Sequence, residues 1–152
     1  MRIGEIITAL EEWAPPALQE SYDNSGLIVG NSNWETQGVL VALDCLESVV
    51  DEAIEKKVQF IVAHHPIVFS GLKRFNGHTY IERVIMKAIK HNIAIYAIHT
   101  NLDNVLWGVN AKIMSLLGVT DHKVLSPMPD ALYKFQVYVP VMNRDALAAA
   151  VF

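Results

Sequence analysis

Phe60-Ile61-Val62-Ala63-His64-His65-Pro66 places four apolar residues directly before two histidines and a proline. A short, continuous apolar run closed by breakers reads as a strand buried on both faces, the kind found at the centre of a parallel sheet. A second run of this kind, from Ile93 to Ile98, ends in His99, with Asp103 just beyond it. Between the two, Ile81, Val84, Ile85 and Ala88 recur at helical spacing over about Tyr80 to Lys90. Upstream, Val39 to Leu43 reads as a strand ending at Asp44, followed by a helix from Glu47 to Lys57 with Val50, Ala53 and Ile54 inward. Alternation of this type predicts a βαβαβ unit with crossovers of ordinary length. The expected class is therefore α/β: a layered, mainly parallel sheet with flanking helices. The polar strand ends then fall on one edge, where open α/β sheets hold their sites.

The flanks extend this lobe. Ile3, Ile6, Ile7 and Leu10 predict an amphipathic helix stopped by Pro15-Pro16, and the polar turn Ser21 to Gly26 leads into a strand at Leu27-Ile28-Val29. A last helix is expected from about Leu106 to Leu117, ending at Gly118. These segments assign residues 1–119 to one lobe and 120–130, with two prolines, to a linker. From 131 to 152 we expect the incomplete beginning of an inserted or second α+β domain. It would consist of an alternating strand, Tyr133 to Val139, and a helix opening near Asn143 or Arg144.

Composition narrows the function classes. The 152 residues are 52% apolar with a formal charge of -4 from scattered charges, so a core is affordable and no extended basic surface exists for nucleic acid. The apolar runs are strand-sized, against the roughly 20 residues a membrane span needs, and the first residues lack an export pattern. A cytoplasmic protein is the expectation, and the single Cys45 agrees with reducing surroundings as a small buried hydrophobe.

His64, His65 and Asp103 are the leading candidate metal ligands. Neighbouring residues on a regular strand point to opposite faces, so both histidines serve one site only if the strand is ending, which Pro66 favours. Adjacent imidazoles with a carboxylate suit a pair of divalent ions; the competing reading is one histidine in the core and the other at the surface. His99 is a candidate acid/base, ligand or second donor, against a simple backbone-bonded histidine. Asp44 either reaches the same rim or caps a helix, and Asp23 and Asn24 either support a metal or ligand from behind the groups that touch it or merely shape a turn. Lys73 and Arg74 can meet phosphates, and Phe69, Phe75 and Tyr80 can stack on a base or pin their loop. Gly26 and Gly30 do not form a dinucleotide-binding glycine motif.

Three blocks carry a family resemblance: Tyr22-Asp23-Asn24-Ser25-Gly26-Leu27-Ile28-Val29-Gly30, Ala63-His64-His65-Pro66, and Ile98-His99-Thr100-Asn101-Leu102-Asp103. With Gly108-Val109-Asn110 and Leu116-Leu117-Gly118 behind them, the sequence resembles the N-terminal part of a dinuclear metal-centre family. Its members are the GTP cyclohydrolase I type 2 homologues, also called NGG-interacting-factor-like proteins. The resemblance implies that His64, His65 and Asp103 are metal ligands and that Asp23 and Asn24 border the bound group. It also implies two divalent ions per complete site (zinc, iron, manganese or nickel), completed by a histidine and a bridging glutamate near the C-terminal end of full-length members. Neither of those two can be located in this sequence. It further implies homo-oligomers, hexameric in full-length relatives.

Two functions from different classes follow. One is a metal-dependent hydrolase of a nucleotide such as GTP, with C8 of the base as the attacked atom and His99 relaying a proton. The other is a non-catalytic protein that stores or senses metal, or an assembly and interaction module.

Overall fold

The computed structural model describes residues 1–127 and 135–151. Its chain contacts separate into two compact units, Met1–His122 and Lys123–Phe152.

In the first unit, helix α1 (Ile3–Trp13) precedes strand β1 (Gly26–Val29), strand β2 (Leu40–Ala42) and helix α2 (Glu47–Glu55). Strand β3 (Phe60–Ala63), helix α3 (Tyr80–Lys90), strand β4 (Ala94–Ala97) and helices α4 (Thr100–Asn104) and α5 (Val109–Leu116) follow. The four strands lie in the order β1-β4-β3-β2. β2, β3 and β4 are parallel, with Ala42 level with Ala63 and Ala63 with Ala97. β1 runs antiparallel along β4, with Gly26 opposite Ala97. The mixed α/β class with a mainly parallel sheet is thus observed.

Period-two alternation distributes the two central strands between two cores. Ile61, Ala63 and Ile95 face Val50, Ala53, Val84, Ile85 and Ala88 of α2 and α3. Phe60, Val62, Ala94 and Tyr96 face the opposite layer, where Ile3 of α1 is fully buried and Ile6, Ile7 and Leu10 pack beside it. All four residues of β3 and of β4 are buried, which explains why both segments read as unbroken apolar runs. β2 is the outer strand, and Val41 at its centre remains 75% exposed.

β1 closes tightly onto β4. Gly30 has φ +97°, and a Cβ placed there would lie 2.7 Å from the Ala94 side chain, so only glycine lets the strand end approach this closely. The long connection between β3 and α3 is held at its far end by the Thr79 N-cap of α3 and by Glu82. Thr79 Oγ1 accepts from Glu82 N, and the Glu82 carboxylate accepts from the amides of Asn76 and His78 at 3.1 Å.

Two departures from the sequence reading concern helices. α4 was not expected, and α5 begins at Val109 rather than near Leu106, with Gly108 at its N-cap and no buried residue along it. In the second unit, helix α6 (Arg144–Val151) matches the expected helix. Of the expected strand, Tyr133 and Lys134 lie outside the described residues, and 135–139 form no strand. An isolated β segment satisfies its backbone groups only beside another strand, and none is paired with it among the described residues. Among the described residues no helix is long and apolar enough to cross a membrane.

Candidate metal centre

The parallel strands β2, β3 and β4 all deliver polar residues at their carboxyl ends. Beyond β3, the amides of His64 and His65 donate to the carbonyls of Ala42 and Leu43, at 3.1 and 3.0 Å. The chain leaves regular strand geometry there, and both imidazoles turn to the same rim instead of to opposite faces. Beyond β4, α4 turns immediately, with Asp103 N donating to His99 O at 3.2 Å. This single turn puts His99 and Asp103 four residues apart on one side of the helix end.

His64, His65 and His99 each offer a ring nitrogen, and these atoms lie within 4.8 Å of one another. The ring centroids are separated by 4.9 Å (His64 to His65), 5.3 Å (His64 to His99) and 5.6 Å (His65 to His99). Asp103 Oδ1 lies 3.8 Å from His64 Nε2. Of the residues proposed as ligands, His64 and His65 share this cluster with His99, while Asp103 stands at its edge against His64.

Every Nδ1 is already engaged. His64 Nδ1 is 2.9 Å from the Ile98 carbonyl, His65 Nδ1 is 2.7 Å from Asp44 Oδ1, and His99 Nδ1 is 2.8 Å from Asp23 Oδ1. A carbonyl or ionised carboxylate only accepts, so each Nδ1 carries the proton and donates it. The neutral tautomer then leaves the Nε2 lone pair free on all three rings. Histidine ligands are ordinarily oriented in this way, through the nitrogen that does not bind the metal. The donor set, three imidazoles and one carboxylate, fits zinc, iron, manganese or nickel.

Asp23 is the most constrained group here, its side chain wholly buried beside His99. It accepts from Asn24 N at 2.6 Å, Ser25 Oγ at 2.7 Å and Thr100 N at 3.1 Å, as well as from Thr100 Oγ1 and His99. Burial alone would raise its pKa; the bonds from His99, Thr100, Ser25 and Asn24 outweigh this and hold the carboxyl well below the usual range. The sequence reading set Asp23 and Asn24 at the border of the site, and there Asp23 orients His99 while Asn24 Nδ2 donates to the Val68 carbonyl at 2.6 Å.

Asp44, left open between rim and helix cap, pairs with His65; α2 has Leu46 at its N-cap and no side-chain cap bond. Its position directly after a strand was the available signal. One aromatic ring stands beside the cluster, with a second next to it. Phe69 lies 6.5 Å from the His99 ring, and Tyr22 lies 6.5 Å from Phe69. A neighbouring cavity of about 440 Å³ is lined by Asn24, Val68, Leu72, Phe75, Ile85 and Ile89 among others, without the histidines, Lys73 or Arg74.

The GTP cyclohydrolase 1 type 2 homolog of Halalkalibacterium halodurans is 44% identical over 146 residues, covering 95% of this chain and 39% of the relative. The protein of that name in Bacillus subtilis is 43% identical over 147 residues, covering 96% and 39%. The chain thus spans about two fifths of the length of these curated relatives. Among solved structures, a Bacillus cereus protein related to NIF3 superposes with TM-score 0.80 at 41% identity, covering 84% of this chain and 35% of that one. Reduced HcgD from Methanocaldococcus jannaschii superposes with TM-score 0.77 at 33% identity, covering 83% and 50%. A family profile matches residues 1–151, and the chain belongs to the Duf34/NIF3 (NGG1p interacting factor 3) family.

Proposed function

We propose that this chain supplies the histidine-rich part of a two-metal centre in a hydrolase that acts on a nucleotide such as GTP. The observation that carries the reading is the convergence of three histidine rings, with a nitrogen from each within 4.8 Å of the others and every Nδ1 engaged, which leaves the Nε2 lone pairs free. The name that these relatives carry, GTP cyclohydrolase 1 type 2 homolog, motivates the substrate.

His64, His65 and Asp103 would hold the ions. A divalent ion bound there supplies a Lewis acid and makes water a stronger nucleophile near neutral pH. His99, whose Nδ1 proton Asp23 fixes, would offer Nε2 as a further ligand, or would take and give a proton there where no ion occupies it. Asp44 does the same for the orientation of His65. The decisive experiment measures metal content and turnover of GTP by the full-length protein. Both should fall in His65→Ala; turnover unchanged by that substitution would sink the hydrolase reading.

Self-association is the expected assembly state. Trp107, Leu116 and Leu117 at α5 and Val41 and Leu43 at β2 are exposed apolar residues of the first unit, a surface composition suited to subunit contacts. If the full-length protein binds metal but turns over no nucleotide, metal storage or sensing within such an assembly becomes the better reading.

A further inference from the structure

Phe69 and Tyr22 are 54% and 64% exposed, and neither belongs to either core cluster. Their backbone positions are nevertheless anchored. Phe69 follows Val68, whose carbonyl accepts from Asn24 Nδ2 at 2.6 Å and whose side chain packs against the α2–α3 core. Leu72, three residues further along, packs there too, and Glu82 ties down the end of the same loop through Asn76 and His78. Tyr22 immediately precedes Asp23, whose carboxylate is bound by His99 and Thr100.

Aromatic rings that serve to pin a loop become buried. These two stay in solvent while the residues beside them do the pinning. Phe69 also meets the His99 ring at 80°, so its ring stands upright beside the histidine, and Tyr22 inclines to it at 45°. Flat apolar surface of this size at the mouth of a polar site suits a ligand that is planar and aromatic at one end and polar at the other.

We propose that Tyr22 and Phe69 form a stacking platform for the heteroaromatic ring of the substrate, whose polar end reaches the histidine cluster. The inference rests on the metal-centre reading and deepens it: the ring is a specificity element, and a phosphate or sugar phosphate lacking one gains nothing from the platform. Base–aromatic stacking is worth roughly 1–3 kcal/mol per base, which corresponds to about a 5- to 150-fold change in affinity.

The test uses zinc-loaded full-length protein, with guanosine 5′-monophosphate and ribose 5-phosphate as calorimetric probes. The nucleotide should bind at least about fivefold more tightly than the sugar phosphate. Phe69→Ala and Tyr22→Ala should each erode that preference, with zinc content and ribose 5-phosphate affinity unchanged, and Phe69→Trp should keep it. Equal affinity of the two probes for the wild type, or a preference untouched by both alanine variants, overturns the platform while leaving the metal centre standing. Failure of the wild type to hold zinc overturns the metal-centre reading itself and the platform with it.

Discussion

Asp23 and His99 are 76 positions apart in the chain, yet Asp23 Oδ1 accepts from His99 Nδ1 at 2.8 Å within a carboxylate environment closed to solvent. The pair joins the turn before β1 to the end of β4, so it holds together fold and site at once. Asp23→Ala leaves the donors of His99, Thr100, Ser25 and Asn24 without their acceptor. We expect a loss of about 3 kcal/mol in urea unfolding, typical of breaking a buried charged network. The milder Asp23→Asn should keep the fold but weaken zinc binding roughly 10- to 100-fold, because it no longer imposes the Nδ1 proton. An unchanged zinc affinity in a folded Asp23→Asn protein would show that His99 needs no such support.

Asp44 offers a separable case. Its pair with His65 is about half exposed on both sides, so the contact contributes little to stability. Asp44→Ala should shift the unfolding free energy by less than about 1 kcal/mol. Competition with a chromophoric chelator should nonetheless reveal metal affinity lower by roughly tenfold or more. A large stability loss with normal metal affinity would reverse the assignment and make Asp44 a structural residue.

Gly30 tests the docking of the antiparallel strand. An alanine there must both adopt a left-handed backbone and push its Cβ into Ala94 of the central strand. The cost should be about 2–4 kcal/mol, read as a lower denaturant midpoint with an unchanged slope. Gly71→Ala, in a loop with open space around the glycine, is the matched control and should be nearly neutral.

Alkaline pH should destabilise the first unit for an identifiable reason. Burial pushes the Cys45 thiol from 9.0 up to about 12. Burial, with Glu11 beside the ring, also raises the Tyr96 hydroxyl above its ordinary value. Both groups keep their protons in the folded state and lose them in the unfolded chain, so stability is complete below pH 9 and declines as pH rises toward 12. One such group changes the unfolding free energy by about 1.4 kcal/mol per pH unit inside its window. Cys45→Val should flatten the part of the curve that begins near pH 9; a parallel decline in both proteins would assign the effect to other groups.

How much of this was legible beforehand depended on the range of the interaction. β3 and β4 were readable because burial on both faces leaves an unbroken apolar run, and α3 because Val84, Ile85 and Ala88 keep one inward face. β2 proved shorter than Val39 to Leu43, as befits an outer strand with a neighbour on one side only. α4 escaped notice because Thr100–Asn104 is too short to show a helical period, although it sets Asp103 in place. The histidines and Asp103 were visible as chemistry at strand ends. Asp44 and Asp23 were visible as candidates too, but not which histidine each meets, since pairing Asp44 with His65 or Asp23 with His99 requires the sheet order, which local pattern does not encode.

The last expectation concerns how many ions residues 1–152 hold when expressed alone. The four donors His64, His65, His99 and Asp103 are enough for one four-coordinate ion, whereas two ions would have to share them with water. Asp44 and Asp23 are committed to the histidine Nδ1 atoms and are not spare ligands. The ring nitrogens lie within 4.8 Å of one another, so modest closure of the rings would bring them to the roughly 2.0–2.1 Å zinc–nitrogen distance around a single centre. The core clusters contain none of these donors, so the fold should survive metal removal. Mass-spectrometric metal analysis after dialysis should therefore give one zinc per chain, removed by a strong chelator while a cooperative thermal transition persists. His99→Ala should reduce that occupancy as severely as His65→Ala. Two zinc ions retained against the chelator would require donors beyond these four, and full occupancy in His99→Ala would return His99 to a purely proton-handling role.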